Sequence, residues 1–293
     1  MAVALPSLLD APSLALTVVI PAYNETARLP AMLTAAVAYL SSSFPSLASS
    51  KPSLPNDTTN HTSKSAPDFE IVIVDDGSAD GTAEKALELA GEHPGVEIRV
   101  VKLEQNLGKG GAVRHGMLHG RGKRLLMVDA DGASRFEDLG LLWTALDTLA
   151  PQGEAGVAIG SRAHLVKTAA VVKRSFIRNF LMYGLHTVLR LVGVGHIRDT
   201  QCGFKLFTRA AAAQIFPRQH LTTWIFDVEV LLLAKQLGVP VVEVPIEWHE
   251  VPGSKLSVMR DSLQMLRDLL VLRANQLLGR WKLDLPENKP KSE

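Results

Sequence analysis

Short apolar runs alternate with stretches of helical spacing through the first half of the chain. The runs lie at residues 16–21, 69–74, 97–103 and 124–128. They are rich in Val, Ile and Leu, as are strands that are buried on both faces of a parallel sheet. Helical spacing follows at residues 28–40, 82–92 and 112–119. This alternation predicts an α/β fold in which a mostly parallel, Rossmann-like sheet is flanked by helices.

The second half of the chain is less regular. Apolar runs predict strands at residues 156–159 and 239–247. Two longer patterns, at residues 173–192 and 256–281, have the spacing of helices. The elements of this half are therefore expected to be appended to the sheet that the first half builds.

The C-terminal helical pattern is amphipathic. Apolar residues such as Leu263 and Leu270 alternate with arginines such as Arg267 and Arg273. This composition is typical of a helix that lies in a membrane interface, and also of a helix packed on the core with a solvated basic face. No stretch approaches the roughly 20 apolar residues of a transmembrane helix, so membrane association is expected to be peripheral.

Composition divides the chain into regions. Residues 41–67 consist mainly of Ser, Thr, Pro and Asn, with scarcely any core-forming residues, and predict a disordered surface insert. The expected organisation is an N-terminal tail at 1–15, one domain at 16–250 that contains the insert, an amphipathic helical region at 251–282 and a tail at 283–293.

The charge is balanced overall but not locally. With 31 basic and 30 acidic residues, no global field attracts nucleic acid. Between residues 155 and 198, however, there are seven basic residues and no acidic one. Such a bias favours a phosphate group and an anionic membrane surface. The single cysteine, Cys202, excludes an internal disulfide, fits a reducing compartment and is expected to be a small buried side chain.

Polar clusters follow the predicted strands, at residues 23–25, 75–78 and 129–132. Ligands of parallel sheets bind beyond the carboxyl ends of the strands, so these clusters are expected to converge on one crevice. In the third cluster, Asp129 and Asp131 flank Ala130. Two carboxylates this close repel each other unless a cation joins them, and Mg²⁺ or Mn²⁺ with a bound diphosphate suits the pair. Two solvated loop aspartates are the alternative.

Two other motifs are candidates for nucleotide binding. A carboxylate of Asp75 or Asp76 can accept from a nucleobase or a ribose hydroxyl, although a turn capped by Ser78 explains the same residues. Lys109 lies in a glycine-rich segment, residues 108–111, that opens a helix and would direct N–H groups and an ammonium to a phosphate. A plain flexible turn is the alternative. The spacing is neither that of a P-loop nor G-x-G-x-x-G, so neither a kinase nor a dehydrogenase is supported.

Taken together and in order, four segments resemble the family 2 glycosyltransferases with a GT-A fold. They are VVIPAYNE (18–25), IVIVDDGSADGT (71–82), NLGKGGAVRHG (106–116) and MVDADG (127–132). Later segments resemble the dolichyl-phosphate β-glucosyltransferase branch of that family. They are GSRAHL (160–165), RDTQCGFKLFTR (198–209), WIFDVEVL (224–231) and PGSKL (252–256).

The resemblance implies roles for residues of the crevice. The residues it places around the uridine and the donor are Pro21, Ala22, Tyr23, Glu25, Asp75, Asp76, Lys109 and Gly110. Asp129 and Asp131 would serve a Mg²⁺ or Mn²⁺ ion, with Asp131 central to catalysis. Gln201 and Lys255 correspond to positions near the donor phosphates.

The acceptor side rests on charge as well as resemblance. Arg162 and Arg178 are the candidates for binding an acceptor phosphate, because guanidinium binds phosphate in bidentate fashion. Asp227 either takes the place of a general base or orients a lysine or arginine. A phosphate monoester, with a second pKa near about 6, needs little help from a base.

The implied reaction is transfer of glucose from UDP-glucose to dolichyl phosphate with inversion, for lipid-linked oligosaccharide assembly and protein N-glycosylation. The expected location is the cytosolic face of the endoplasmic reticulum membrane. A polyprenyl-phosphate mannosyltransferase or other glycosyltransferase stays open, although Ala133 replaces a glutamine that mannosyl enzymes often carry. A non-catalytic sugar-nucleotide-binding protein is a further alternative. The N-x-T sequons at Asn24, Asn56 and Asn60 are expected to be unmodified, because a glycan on Asn24 would block the donor pocket.

Overall fold

The computed structural model describes residues 5–44, 68–165, 197–253 and 258–281. Their strands form one seven-stranded sheet of order β3-β2-β1-β4-β6-β5-β7. The strands are β1 Leu14–Ala22, β2 Phe69–Asp75, β3 Glu97–Lys102, β4 Gly122–Val128, β5 Val157–Ser161, β6 Phe204–Thr208 and β7 Val241–Pro245. The predicted α/β class is confirmed.

Four strands, β1 to β4, run parallel, and β7 is parallel to β5. Strand β6 runs antiparallel to both β4 and β5. The sequence analysis predicts the other six strands but not this one. Every residue of β6 is buried, so it lacks alternation, and Lys205 interrupts its apolar run.

Helices cover both faces of the sheet. They are α1 Leu29–Ser42, α2 Thr82–Glu92, α3 Lys109–Leu118, α4 Leu139–Leu149, α5 Arg209–Ile215, α6 Phe226–Gln236 and α7 Val258–Leu277. Helices α1, α2 and α4 pack in the core on one face, and α3, α5, α6 and α7 contribute to the core on the other. The helix predicted at 173–192 lies outside the described residues.

The start of the predicted insert belongs to the fold. Helix α1 continues through Ser42, and Phe44 is only 1% exposed. The Phe44 ring makes edge contacts with Phe69 at 5.9 Å and with Trp143 at 5.3 Å between centroids. The prediction that the disordered insert begins at Ser41 is therefore wrong for its first four residues. Burial of one aromatic ring fixes the end of α1 against the core.

Candidate active site

The carboxylate pair lies directly after β4, at the carboxyl edge of the sheet. The Asp129 backbone N–H donates to the carbonyl of Gly203, at 3.0 Å. A Cβ atom at Gly203 would lie 2.0 Å from Oδ2 of Asp129, so the carboxylate packs directly on the glycine backbone. Oδ1 of Asp131 accepts from the backbone N–H of Ala133, at 3.0 Å. The start of β6 thus positions one carboxylate, and a tight turn positions the other.

The electrostatics of this pair suit a cation. Burial, and then the charge of Asp129, raises the pKa of Asp131 above its usual range. The two negative charges therefore cost free energy when they stand together, and a divalent cation would remove that cost. Within the described residues, no group of three or more His, Cys, Asp or Glu side chains is placed to hold a metal. A Mg²⁺ or Mn²⁺ ion at Asp129 and Asp131 would take its other ligands from phosphate oxygens or water.

Lys109 faces the same pair from the N-terminus of α3. Its Nζ atom lies 2.6 Å from Oδ1 and 2.9 Å from Oδ2 of Asp129. Burial alone would lower the pKa of this ammonium, but the charges of Asp129 and Asp227 outweigh burial and raise it. The ammonium also lies 5.6 Å from the centroid of the Trp224 ring. Lys109 therefore supplies a fixed positive charge beside the carboxylates.

Asp227 lies beneath Lys109, in the first turn of α6. Its Oδ1 atom is 2.6 Å from Nζ of Lys205, and the two side chains are 3% and 1% exposed. Lys205 also donates to the carbonyl of Cys202, at 2.6 Å. Burial raises the pKa of Asp227, although Lys205 and Lys109 oppose that shift. Lys205 is absent from the sequence analysis, although a charged residue inside an apolar strand could have signalled a buried ion pair.

The single cysteine, Cys202, whose carbonyl accepts from Lys205, is buried as expected. Its side chain is fully buried, and burial raises the pKa of the thiol to about 11. A thiol with so high a pKa is a poor nucleophile at neutral pH. The prediction of a small buried side chain is confirmed.

Glu25 holds an arginine that the sequence analysis does not single out. Nε of Arg28 donates to Oε2 of Glu25 at 2.7 Å, and Nη2 donates to Oε1 at 2.5 Å. The hydrogen bond to Glu25 raises the pKa of Arg28, and the charges of Asp131 and Asp129 add to that effect. The two carboxylate oxygens of Glu25 thus fix the Arg28 guanidinium, a second cation, near the carboxylate pair.

Asp75 and Asp76 end β2 and differ in their partners. The Asp76 carboxylate accepts hydrogen bonds from the backbone N–H groups of Leu107 at 2.7 Å and Gly108 at 2.9 Å, so it fixes the glycine-rich turn. Burial raises the pKa of this carboxylate. Asp75 is fully buried, and Oδ1 accepts from the Ser78 backbone at 3.3 Å. Its Oδ2 atom has no hydrogen-bond partner in the described part of the chain. A buried carboxylate oxygen without a donor is a candidate acceptor for a ligand N–H or O–H.

The other predicted residues of the donor side border these aspartates. In the register of β1 and β2, Pro21 pairs with Val74 and Ala22 with Asp75. Tyr23 follows and is 42% exposed. Asn24 adopts a left-handed conformation, with φ of 54°, and its Oδ1 atom accepts from the backbone of Ala79 at 3.0 Å. The other sequons, at Asn56 and Asn60, lie outside the described residues.

Glycines bring the N-terminus of α3 against residues 221–226. A Cβ at Gly108 would lie 2.5 Å from the Thr222 carbonyl oxygen, and a Cβ at Gly110 would lie 2.6 Å from Cβ of Phe226. The Gly110 carbonyl accepts from Nε2 of Gln219, at 2.9 Å. The structure thus places Gly110 at a close backbone approach, beside Lys109.

Arg162 is held at the end of β5 by an acidic partner. Its Nε and Nη2 atoms donate to the two carboxylate oxygens of Asp199, at 2.7 and 2.8 Å. This hydrogen bonding raises the pKa of the guanidinium. The guanidinium carbon lies 5.3 Å from the centroid of the Trp248 ring. Asp199 and Trp248 are positioning partners that the sequence analysis does not name.

The remaining predicted residues are dispersed or undescribed. Nε2 of Gln201 lies 3.8 Å from Sδ of Met265, which belongs to α7. Arg178 and Lys255 lie outside the described residues. The structure therefore brings together the two carboxylates, Lys109 and Asp227, and leaves Gln201 against the C-terminal helix.

Helix α7 has both a buried and an exposed apolar side. Leu269 and Leu272 are each 1% exposed and belong to the core. Leu263 and Leu270 are more than 60% exposed, at 63% and 61%. Of the helices described, none is long and apolar enough to cross a membrane. One side of the helix therefore packs on the core, and binding of the other side to a membrane interface stays a prediction.

This sheet and its edge of paired carboxylates and lysine have the architecture of a glycosyltransferase of the GT-A class, and residues 17–216 match the model "Glycosyl transferase family 2". The chain belongs to that family. Within it, the chain belongs with the dolichyl-phosphate β-glucosyltransferases. It is 46% identical to the Saccharomyces cerevisiae enzyme of that name over 276 residues, covering 91% of this chain and 76% of the relative. It is 41% identical to the Homo sapiens enzyme, covering 96% and 81%.

Solved structures share the fold at low identity. Mannosyl-3-phosphoglycerate synthase from Rubrobacter xylanophilus superposes with a TM-score of 0.56 at 18% identity, covering 91% of this chain and 76% of that one. Glucosyl-3-phosphoglycerate synthase from Mycobacterium tuberculosis, solved with Mn²⁺, UDP and glucosyl-3-phosphoglycerate, has a TM-score of 0.53 at 17% identity, covering 94% and 82%. These likenesses confirm the GT-A fold, and the second of these neighbours holds a divalent metal.

Proposed function

We propose that this chain transfers glucose from UDP-glucose to dolichyl phosphate with inversion, giving dolichyl β-D-glucosyl phosphate. The observation that carries the proposal is the Asp129 and Asp131 pair facing the ammonium of Lys109 at the carboxyl edge of the sheet. Such a site neutralises a leaving diphosphate. The names of the relatives supply the sugar and the acceptor.

The donor would lie across the ends of β1, β2 and β4. The unpaired Oδ2 atom of Asp75 is suited to accept an N–H of uracil. Lys109 is placed to bind a phosphate at the N-terminus of α3. Asp129 and Asp131 would hold a Mg²⁺ or Mn²⁺ ion, which when bound would neutralise charge on the departing diphosphate as a Lewis acid. Arg28, held by Glu25, adds a second positive charge on the same side.

The acceptor would bind on the side of β5. Arg162 keeps its guanidinium oriented by Asp199, and its remaining N–H donors are available for a phosphate oxygen. Arg178 would add a second guanidinium. An acceptor oxygen attacks the anomeric carbon from the face opposite the UDP oxygen. The new C–O bond forms as the bond to UDP breaks, and UDP leaves with the electron pair.

Asp227 is proposed as an orienting group rather than a base. It is buried and paired with Lys205, so its charge helps to hold the lysines in place. A dianionic phosphate needs no proton removed before it attacks. Gln201 and Lys255 are proposed to lie near the donor phosphates when substrate is bound.

We propose a peripheral location on the cytosolic face of the endoplasmic reticulum membrane, where the product serves protein N-glycosylation. The exposed leucines of α7 and the exposed Arg267 support interfacial binding, because shallow apolar burial and attraction to anionic lipid act together.

A donor panel tests the function. Purified protein would be incubated with dolichyl phosphate, Mn²⁺ or Mg²⁺, and UDP-glucose, UDP-galactose or GDP-mannose, and the anomeric configuration of the lipid product would be determined by NMR. We expect product from UDP-glucose alone, with the β configuration. Preference for GDP-mannose would make the protein a mannosyltransferase. Binding of UDP-glucose with neither transfer nor metal-dependent hydrolysis would favour a non-catalytic protein.

A further inference from the structure

A cleft of about 580 Å³ opens beside Asp131, between the start of α1 and the segment 247–251. Its volume lies within the range of about 300–1,000 Å³ that is typical of small-molecule sites. The groups proposed above to bind the nucleotide follow β1 and β2, whereas this cleft reaches toward the residues that follow β7 at the other end of the sheet. Arg28 and Asp131 line the cleft as well, so it adjoins the donor site at the carboxylate pair.

The walls of the cleft are largely apolar. Helix α1 contributes Ala31, Met32 and Ala35, and the opposite wall contributes Phe136, Trp248 and Val251. Ala31 and Ala35 are exposed, so they leave the space open instead of filling it. A surface of this kind binds a hydrocarbon by removing it from water.

Both arginines at the cleft are paired with carboxylates of the protein, and the carboxylates of Asp131 and Glu137 also line it. Arg28 is paired with Glu25. Arg135 is paired with Asp138 at 2.5 Å and with Glu247 at 2.8 Å. These pairs neutralise the two arginines, so they do not select an anionic ligand for the cleft, and its apolar wall residues favour a hydrocarbon occupant.

The far wall is fixed by the backbone. Arg135 donates its N–H to the carbonyl of Glu247 at 3.1 Å, and His249 donates to the carbonyl of Ala133 at 3.0 Å. Trp248 forms a β-bridge with Ser134 between them. The wall is thus held in place before a ligand arrives, and less ordering is needed on binding.

Trp248 joins the cleft to the acceptor side of the site. The same ring lines the cleft and lies 5.3 Å from the guanidinium carbon of Arg162. A phosphate ester bound at Arg162 would therefore have its organic substituent beside this ring. The segment 247–251 is followed closely in the chain by α7, the helix with exposed leucines.

We propose that the cleft holds the isoprene units nearest the phosphate of the acceptor lipid, an inference that rests on the proposed function. Asp131, which also lines the cleft, would bring these units close to the donor site. The cleft thereby selects a polyprenyl phosphate over a phosphate with a short or polar substituent.

Bulky substitutions in α1 test the proposal. Ala31→Phe and Ala35→Phe fill the cleft from an exposed position, and Ala38→Phe places the same ring further along the same exposed face of α1, where it does not line the cleft. For each variant, KM and kcat would be measured with a long-chain polyprenyl phosphate, with methyl phosphate, whose substituent is too small to enter the cleft, and with varied UDP-glucose. Circular dichroism would show that each variant is folded.

We expect Ala31→Phe and Ala35→Phe to raise KM for the long-chain acceptor about tenfold, which corresponds to losing the burial of about two methylene groups. KM for UDP-glucose and for methyl phosphate should stay within about twofold, and Ala38→Phe should match the wild type. An unchanged KM for the long-chain acceptor, an equal effect of Ala38→Phe, or a rise in KM for UDP-glucose would overturn the proposal. Failure of the proposed function itself would appear separately, as wild-type protein that glucosylates no polyprenyl phosphate.

Discussion

The ammonium of Lys205 lies 2.6 Å from the carboxylate of Asp227, and both side chains are buried beneath the site. A charged pair in this position is costly to break, because removal of one partner leaves the other charge buried without compensation. The pair also lies next to Lys109, whose pKa responds to Asp227.

We predict that Lys205→Met lowers the free energy of unfolding by about 3–5 kcal/mol, as expected for one half of a buried ion pair. Lys205→Met combined with Asp227→Leu should recover much of that loss, because no buried charge remains. Urea unfolding followed by circular dichroism measures both. If the double variant were no more stable than Lys205→Met, the pair would not be the source of the loss.

Asp131→Asn is predicted to abolish glucosyl transfer while the fold survives, because it changes a loop carboxylate rather than a core contact. The control is Glu154→Gln, which removes an exposed carboxylate before β5. Activity would be measured at saturating Mn²⁺, with thermal unfolding as the test of folding. Full turnover by Asp131→Asn would refute the assigned role.

Stability should fall in acid partly through Glu70. Burial alone would raise the pKa of this glutamate, but hydrogen bonds from the Arg121 backbone and Thr17, together with the charge of Arg99, lower it overall. A lowered folded-state pKa contributes stability that is present above the unfolded pKa of about 4.3 and is lost as pH falls through the folded value. Urea unfolding between neutral and acidic pH should show a smaller loss for Glu70→Gln than for wild type. An equal decrease in the free energy of unfolding with falling pH for the two proteins would contradict this prediction.

Deletion of residues 45–67, with a short linker in their place, should leave kcat/KM within about threefold, because long surface insertions cost little loop entropy. The matched variant deletes residues 41–67 and so also removes Phe44. Loss of that buried ring should cost about 3–5 kcal/mol of stability. Thermal unfolding separates the two deletions. A hundredfold fall in kcat/KM for the shorter deletion would place the segment in the site.

Purified protein is expected to sediment with liposomes that contain anionic lipid at low salt, and to be released by high salt or alkaline carbonate. Replacement of Arg260, Arg267 and Arg273 by Glu should weaken sedimentation and raise KM for long-chain dolichyl phosphate more than for UDP-glucose. Lys85→Glu, a single charge reversal on α2, should leave sedimentation nearly unchanged. Binding of the triple variant as tight as that of wild type would make α7 structural.

The sequence predicts the parallel half of the sheet well, because β1, β2 and β4 each contain an apolar run followed by a polar cluster. The helix at Thr82–Glu92 has the predicted bounds. The antiparallel strand β6 escapes prediction because Lys205 breaks its apolar run, and only the fold reveals that Asp227 compensates that lysine.

Site residues are predictable by type more than by partner. The pattern of Asp129 and Asp131 after a strand predicts a carboxylate pair, but nothing local indicates that Lys109 will lie against it. Similarly, the charge of Arg162 makes it a candidate, whereas its hydrogen bonds to Asp199 depend on contact between residues that are 37 positions apart in the chain. Partners of this kind require the tertiary structure.

The contact between Gly203 and Asp129 limits how this enzyme can be altered. A methyl group at 203 would occupy the space of the Oδ2 atom, so even alanine must displace the carboxylate that would hold the metal. An engineer who redesigns the donor site has to treat this position as closed to variation. In a saturation library, variants at position 203 should lose activity to the same degree as variants at Asp129, although the glycine itself would touch no substrate.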